Sequence, residues 1–322
     1  MLTSRTLHFV LCCSVSLLLT LHPQAAAESL TWTQLSPATA PSARGYAAMA
    51  YDMAHKKVVL FGGYDAHNYL QDTWTYDGTT WTKVETANAP AARVNAQMAY
   101  DYQTRRIVLF GGYNGTYLGD TWIWDGATSS WTQATPAHSP KAVTGPMVFT
   151  DMNGRVDEFG GFDGQFYQLT MWQWSGENWR KVNAPTVPWA RSSSAVALNH
   201  VDRQIVLWGG LGDVNVLNTW TYDGSTWTLQ TPAMQPLTVY GASAVFAPNL
   251  GTVVLFGGAD GGVPQSRTWS WTGSNWVELF PTLSPAAREG AGMVYDPALR
   301  RIVLFGGQSG RSYFGDTWEL TR

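Results

Sequence analysis

Four arginines, Arg44, Arg93, Arg191 and Arg288, open the same short segment in four of six repeating units. Val143 and Tyr240 take that place in the other two. A guanidinium offers a planar fork of donors that meets a carboxylate in bidentate fashion, so a ring of them suits an anionic ligand. The alternative is a residue repeated for structure, bonding neighbouring loops. Aromatic side chains gather in the loops beside them: Tyr69, Tyr117, Phe166 and Tyr313, with Tyr64, Tyr113, Phe162 and Tyr167. Aromatic planes among polar neighbours suit a peptide or a glycan, and packing between units is the competing explanation. That explanation is strongest for Tyr64, Tyr113 and Phe162, which directly follow Gly-Gly pairs. Trp189 stands apart, because no repeat position requires a tryptophan there.

Acid–base chemistry has one weak candidate. Val156-Asp157-Glu158-Phe159 carries two carboxylates where the other units carry an apolar pair. A buried unpaired carboxylate is costly and is expected to have a raised pKa, which is one mark of a catalytic acid. A compensated substitution, with Arg155 or another basic residue as partner, is the alternative for Asp157 and Glu158. Asp65, Asn114, Asp163 and Asp260 read as turn residues. Asp72, Asp120 and Asp316, each before Thr-Trp, read as hydrogen-bonding residues at strand starts. His55, His67, His138 and His200 have no metal-ligand spacing, so no metal and no cofactor is expected. No G-x-S-x-G, phosphate-loop or dinucleotide fingerprint occurs.

The elements that must carry these residues follow from composition and repetition. The 322 residues are 45% hydrophobic and 13% charged, with net charge -3, which leaves no electrostatic footprint for nucleic acid. Residues 1–27 read as a secretory signal: Arg5, an apolar run from Phe9 to Leu21, then Ala25-Ala26-Ala27. Both cysteines, Cys12 and Cys13, lie in it, so residues 28–322 have no thiol nucleophile, no cysteine-bound zinc and no disulfide. No second apolar run is long enough to span a membrane. A secreted or periplasmic monomer is expected.

Gly-Gly pairs begin at Gly62, Gly111, Gly160, Gly209, Gly257 and Gly306, spaced by 48 or 49 residues. Each follows a short apolar run such as Lys57–Phe61 and precedes a tryptophan: Trp74, Trp122, Trp172, Trp220, Trp269 or Trp318. A second tryptophan follows in five units (Trp81, Trp131, Trp179, Trp227, Trp276), and Trp32 supplies the sixth from the N-terminus. Each unit holds four short β-type runs, in the first unit roughly 44–51, 56–62, 72–77 and 80–85, separated by Asp-Gly and Asn-Gly turns. Four antiparallel strands repeated at this period predict the blade of a propeller. Small residues such as Ala47, Ala48 and Ala50 fit the crowded innermost strand, and the tryptophans fill the widening outer gap.

The Gly-Gly pair, the downstream Tyr or Trp (Tyr76, Trp124, Trp174, Tyr222, Trp271) and the second Trp resemble the kelch repeat, over essentially all of residues 28–322. The resemblance implies an all-β, six-bladed kelch-type β-propeller, with the strand around Leu30–Leu35 completing the last blade. The export leader suggests a bacterial protein of this type. In peptide-binding kelch domains, arginines at the matching position contact acidic ligands. By that resemblance the mouth of the axial channel binds through Arg44, Arg93, Arg191, Arg288 and Tyr240, with Trp189, Tyr69, Tyr117, Phe166 and Tyr313 around it. The expected function is non-catalytic binding of a protein or glycan. The alternative is a carbohydrate-active enzyme, such as a sialic-acid-type sugar isomerase or mutarotase, with Glu158 as its acid. Galactose-oxidase copper chemistry needs a Tyr-Cys cofactor, which residues 28–322 cannot make.

Overall fold

The computed structural model describes residues 30–214 and 216–322; the expected leader, 1–27, lies outside them. The described residues form no helix. They build six blades in a ring, each a sheet of antiparallel strands in simple up-and-down order. In the first blade these are Ala48–Asp52, Lys57–Phe61, Thr73–Tyr76 and Trp81–Val84, from the axis outwards. The innermost strands of the next four blades begin at Gln97, Met147, Ala195 and Tyr240. The sixth blade takes Gly292–Asp296, Arg301–Phe305 and Thr317–Thr321 from the C-terminal end and Thr31–Leu35 from the N-terminal end. Thr31 pairs with Thr321 and Leu35 with Thr317, so the ring is closed by main-chain hydrogen bonds inside one blade.

The core is six apolar clusters, one at each contact between neighbouring blades. Alternation along the second strand explains why. Leu109 joins the cluster shared with the first blade, and the adjacent Val108 joins the one shared with the third. The outer-strand tryptophans are buried in these contacts. Their indole N–H groups reach across the interface to a threonine of the preceding blade. Trp131 donates to Thr73 at 2.9 Å, Trp179 to Thr121 at 2.8 Å, Trp276 to Thr219 at 2.9 Å, Trp81 to Thr317 at 3.0 Å and Trp32 to Thr268 at 3.1 Å. The Trp227 indole has no partner among the described residues, because the third blade carries Met171 where the others carry threonine.

The axis itself holds a feature absent from the expected 44–51 strand, which begins only at Ala48. Tyr46, Asn95, Gly145, Ser193, Gly241 and Gly290 each have a left-handed backbone, with φ between 55° and 68°. That turn aims each N–H at the carbonyl of the equivalent residue in the preceding blade. Tyr46 donates to Gly290, Gly290 to Gly241, Gly241 to Ser193, Ser193 to Gly145, Gly145 to Asn95 and Asn95 to Tyr46, at 2.7–3.1 Å. The result is a closed annulus of main-chain hydrogen bonds around the axis. A non-glycine residue is disfavoured at such a φ, and Tyr46, Asn95 and Ser193 are held there by this shared bonding.

Candidate functional site

The loops that follow each second strand, together with the linkers that precede each first strand, share one face of the ring. The arginines lie under this face but do not line an open mouth. Arg44 is 1% exposed. Its fork meets both carboxylate oxygens of Asp72, at 2.6 and 2.9 Å, while Nη1 also donates to the Gly62 carbonyl and Nε to the Ser42 carbonyl. Arg93 clamps Asp120 and Arg288 clamps Asp316 in the same way. Each of these aspartates also accepts the indole N–H two residues on, from Trp74, Trp122 or Trp318, at 2.7 Å. Burial pushes the three carboxyls up in pKa, but the arginine hydrogen bond and charge outweigh it, so each ends below the usual carboxylate range. The expected carboxylate-binding ring is therefore corrected: its donors are spent inside the blade, and the annulus lies between them and the axis.

Two further details revise the reading of that position. Val239, not Tyr240, is the fifth blade's equivalent of the arginine, because the Gly210 amide donates to Val239 as the Gly63 amide does to Arg93. Where valine replaces the arginine, the aspartate is missing too: Thr170 accompanies Val143, and Arg267 accompanies Val239. The fourth blade breaks this match. Arg191 faces Asn218 at 3.0 Å, keeps the carbonyls of Gly209 and Trp189, and leaves Nη2 without a partner. Burial without a counter-charge lowers its pKa to about 10.

The aromatic residues do come together. Ring centroids follow one another from Tyr313 to Tyr64 at 5.9 Å, to Tyr69 at 5.4 Å, to Tyr113 at 6.0 Å and to Tyr117 at 5.1 Å. They continue to Phe162 at 6.0 Å and Tyr167 at 4.8 Å. This is one arc of seven half-buried rings across the sixth, first, second and third blades. Phe166 next to its end and Trp189 in the following linker are each 58% exposed. The loops carrying the arc are pinned by turn chemistry. Asp65 accepts the amides of His67 and Asn68, Asp163 accepts those of Gln165 and Phe166, and Lys141 pairs with Asp163 at 3.2 Å.

Tyr240 belongs to a different group, next to the annulus. It lies near Glu289, whose charge, after burial, raises the pKa of Tyr240 and Tyr46; that of Tyr313 is raised by burial, then by Tyr64 and Glu289. Gln308 donates to Glu289 at 3.2 Å. Sequence reasoning missed Glu289, Tyr46 and Gln308. The only signal was the turn-prone run Asn95, Gly145, Gly241 and Gly290 at matched places in the repeat.

Glu158 is 1% exposed and has a carboxylate oxygen without a partner. Its cross-strand neighbours are Val148 and Trp172, both in the apolar contact between the second and third blades. Burial first, then the Asp157 charge, pushes its pKa well up. Asp157 points the other way, beside Phe149 in the contact with the fourth blade, where Gln173 donates to it at 3.1 Å. Its pKa is also raised, by burial and then by Asp151. Neither carboxylate reaches the axis or the loops, so Glu158 is corrected from candidate acid to a buried substitution in a blade contact. No cluster of three metal-ligating His, Cys, Asp or Glu occurs among the described residues.

Six blades of this topology, with the Gly-Gly and tryptophan repeat in each, carry the decisive pattern. The fold is that of a kelch-type β-propeller. The family model described as the KLHDC2/KLHL20/DRC7 Kelch-repeats domain matches residues 19–161. Comparison with curated proteins gave no match. Kelch propellers commonly serve as protein-interaction modules.

Proposed function

We propose that this kelch propeller is a non-catalytic module that receives a protein partner on the aromatic arc of its loop face. The arc carries the reading: seven rings in mutual contact over four blades, flanked by the exposed Phe166 and Trp189. Large aromatic groups at a rigid surface supply contact area at low entropy cost, and they dominate binding energy in protein interfaces. Leu169, also exposed, extends the patch with apolar surface that a protein buries better than a glycan does. With the arginines engaged inside the blades, the expected preference for an anionic ligand loses its donors. The enzyme reading loses its acid with Glu158.

The test is selection from a random peptide display library against the full chain, with a glycan array in parallel. Selected peptides should lose at least tenfold in affinity for Tyr69→Ala, Tyr117→Ala or Phe166→Ala. They should keep it for Val201→Ser, an exposed residue on the opposite face. Binding confined to the array, or peptide binding unchanged by all three substitutions, would overturn the proposal. We infer from the leader-like residues 1–27 that the module works outside the cytoplasm; a chain that stays in the cytoplasm with residues 1–27 still attached would contradict that.

A further inference from the structure

The inner strands of all six blades enclose a chamber of about 560 Å³ on the axis. Its inner end lies just beneath the annulus. Ala47, Pro146, Ser194, Ala242 and Ala291, each the residue after an annulus member, form that end, and no annulus residue lines the chamber. Its other end is formed by Met53, Tyr102, His200, Pro248 and Pro297 in the turns after the inner strands. These turns lie on the face opposite the aromatic arc, and all five residues are exposed. The chamber is therefore blind at one end and open at the other.

Its chemistry is uniform. Among the described residues, no Asp, Glu, Lys or Arg lines it. The carboxylates that end the inner strands point away and accept amides of their own turns, as Asp52 does from Ala54 and His55, and Asp296 from Ala298 and Leu299. His200, at the rim, packs on Phe246 at 5.2 Å, and burial lowers its pKa, which favours the neutral ring. Met49, Met53, Met98, Met147 and Met293 supply flexible thioethers that adjust to the shape of an occupant. Side chains free to orient a ligand are few. Ser194, Ser243 and Thr150 already donate to the carbonyls of Gly209, Ala291 and Tyr100, which leaves the Gln97 amide on the inner strands as an orienting group.

We propose that this chamber is a second binding site, separate from the loop face, for a single uncharged hydrophobic small molecule entering from the turn side. The volume lies within the range of small-molecule pockets, roughly 300–1,000 Å³, and the balance of many apolar walls to few polar groups is typical of them. A charged ligand would be desolvated with nothing to pair with. A polypeptide could not thread the ring past the annulus, where the Tyr46 side chain packs over Gly290 and Gly241.

The probe is N-phenyl-1-naphthylamine, a neutral dye, titrated into the full chain and read by fluorescence. Methionine methyl NMR on the same samples locates it. Saturable binding of one dye per chain is expected, with shifts at Met49, Met53, Met98, Met147 and Met293 and none at Met171 or Met234. Ala244→Trp and Val196→Phe, which fill the chamber from two blades, should each weaken binding at least tenfold. Absence of saturable binding, or shifts at Met234 without the five chamber methionines, would overturn the proposal. The methionine shifts decide on the unaltered chain, even if a filling variant fails to fold.

Discussion

Glu158→Leu should stabilise the protein, by an amount that grows with pH. Leucine is what the other five blades place there: Leu60, Leu109, Leu207, Leu255 and Leu304. Even when neutral, a carboxyl without a hydrogen-bond partner in an apolar contact costs about 1–3 kcal/mol. The charged form adds a pH-dependent part. The folded pKa of Glu158 is raised well above the ordinary glutamate value of 4.5, so its contribution is most favourable below that value and is lost as pH rises towards the folded pKa. Over that window the wild-type penalty grows by about 1.4 kcal/mol per pH unit. Urea midpoints of wild type and Glu158→Leu at pH 4, 5, 6 and 7 measure it. A gap of about 1–3 kcal/mol at the acid end, widening with pH, is expected. Glu158→Gln separates the two parts: it should flatten the pH dependence and still leave an unsatisfied polar group. A variant no more stable than wild type, or a gap that does not change with pH, would refute the reasoning.

Other outcomes follow from the blade contacts. Arg44→Ala leaves the part-exposed Asp72 with only the Trp74 indole as side-chain donor and should cost about 1–3 kcal/mol at pH 7. Because the folded pKa of Asp72 is depressed, the cost should shrink as pH falls through it, and a cost independent of pH in denaturant titrations would contradict the clamp. Asn218→Asp gives the buried Arg191 a carboxylate, with the Trp220 indole as a second donor, and should add about 1–3 kcal/mol. A lower thermal midpoint would count against it. Thr73→Val leaves the Trp131 indole unpaired, and a loss of about 1–3 kcal/mol is expected from urea unfolding. Deleting residues 28–36 removes the strand Thr31–Leu35 and should lower the thermal midpoint by many degrees; an unchanged midpoint would mean the ring does not depend on that closure.

Blade number, ring closure and the tryptophan wedges were legible because they are periodic: Gly62 to Gly306 mark the units, and Trp32 fills the one vacancy. The fate of the arginines was harder to read. Repetition marks a residue as important to the unit but does not say whether its partner is a ligand or another part of the same blade. The partner was present at a fixed offset, since Asp72, Asp120 and Asp316 occur only in units that carry the arginine. The annulus was masked by Tyr46 and Ser193, which adopt a left-handed turn only because six neighbours share the bonding. The aromatic arc was anticipated as a set of residues but not as a continuous line. That line depends on loops of adjacent blades meeting, as Tyr69 meets Tyr113, and local sequence does not encode such contacts. The axial chamber depends on which inner-strand side chains turn towards the axis, and their variation from Met49 to Val196 and Ala244 shows no period to read.

The central claim is that recognition takes place on the loop face. Hydrogen–deuterium exchange of the full chain, with and without a library-selected peptide, tests it most directly. The account predicts slowed exchange in 64–70, 113–118 and 162–169, with the inner-strand turns unchanged. Protection confined to those turns, or to the edges of the outer strands, would contradict it.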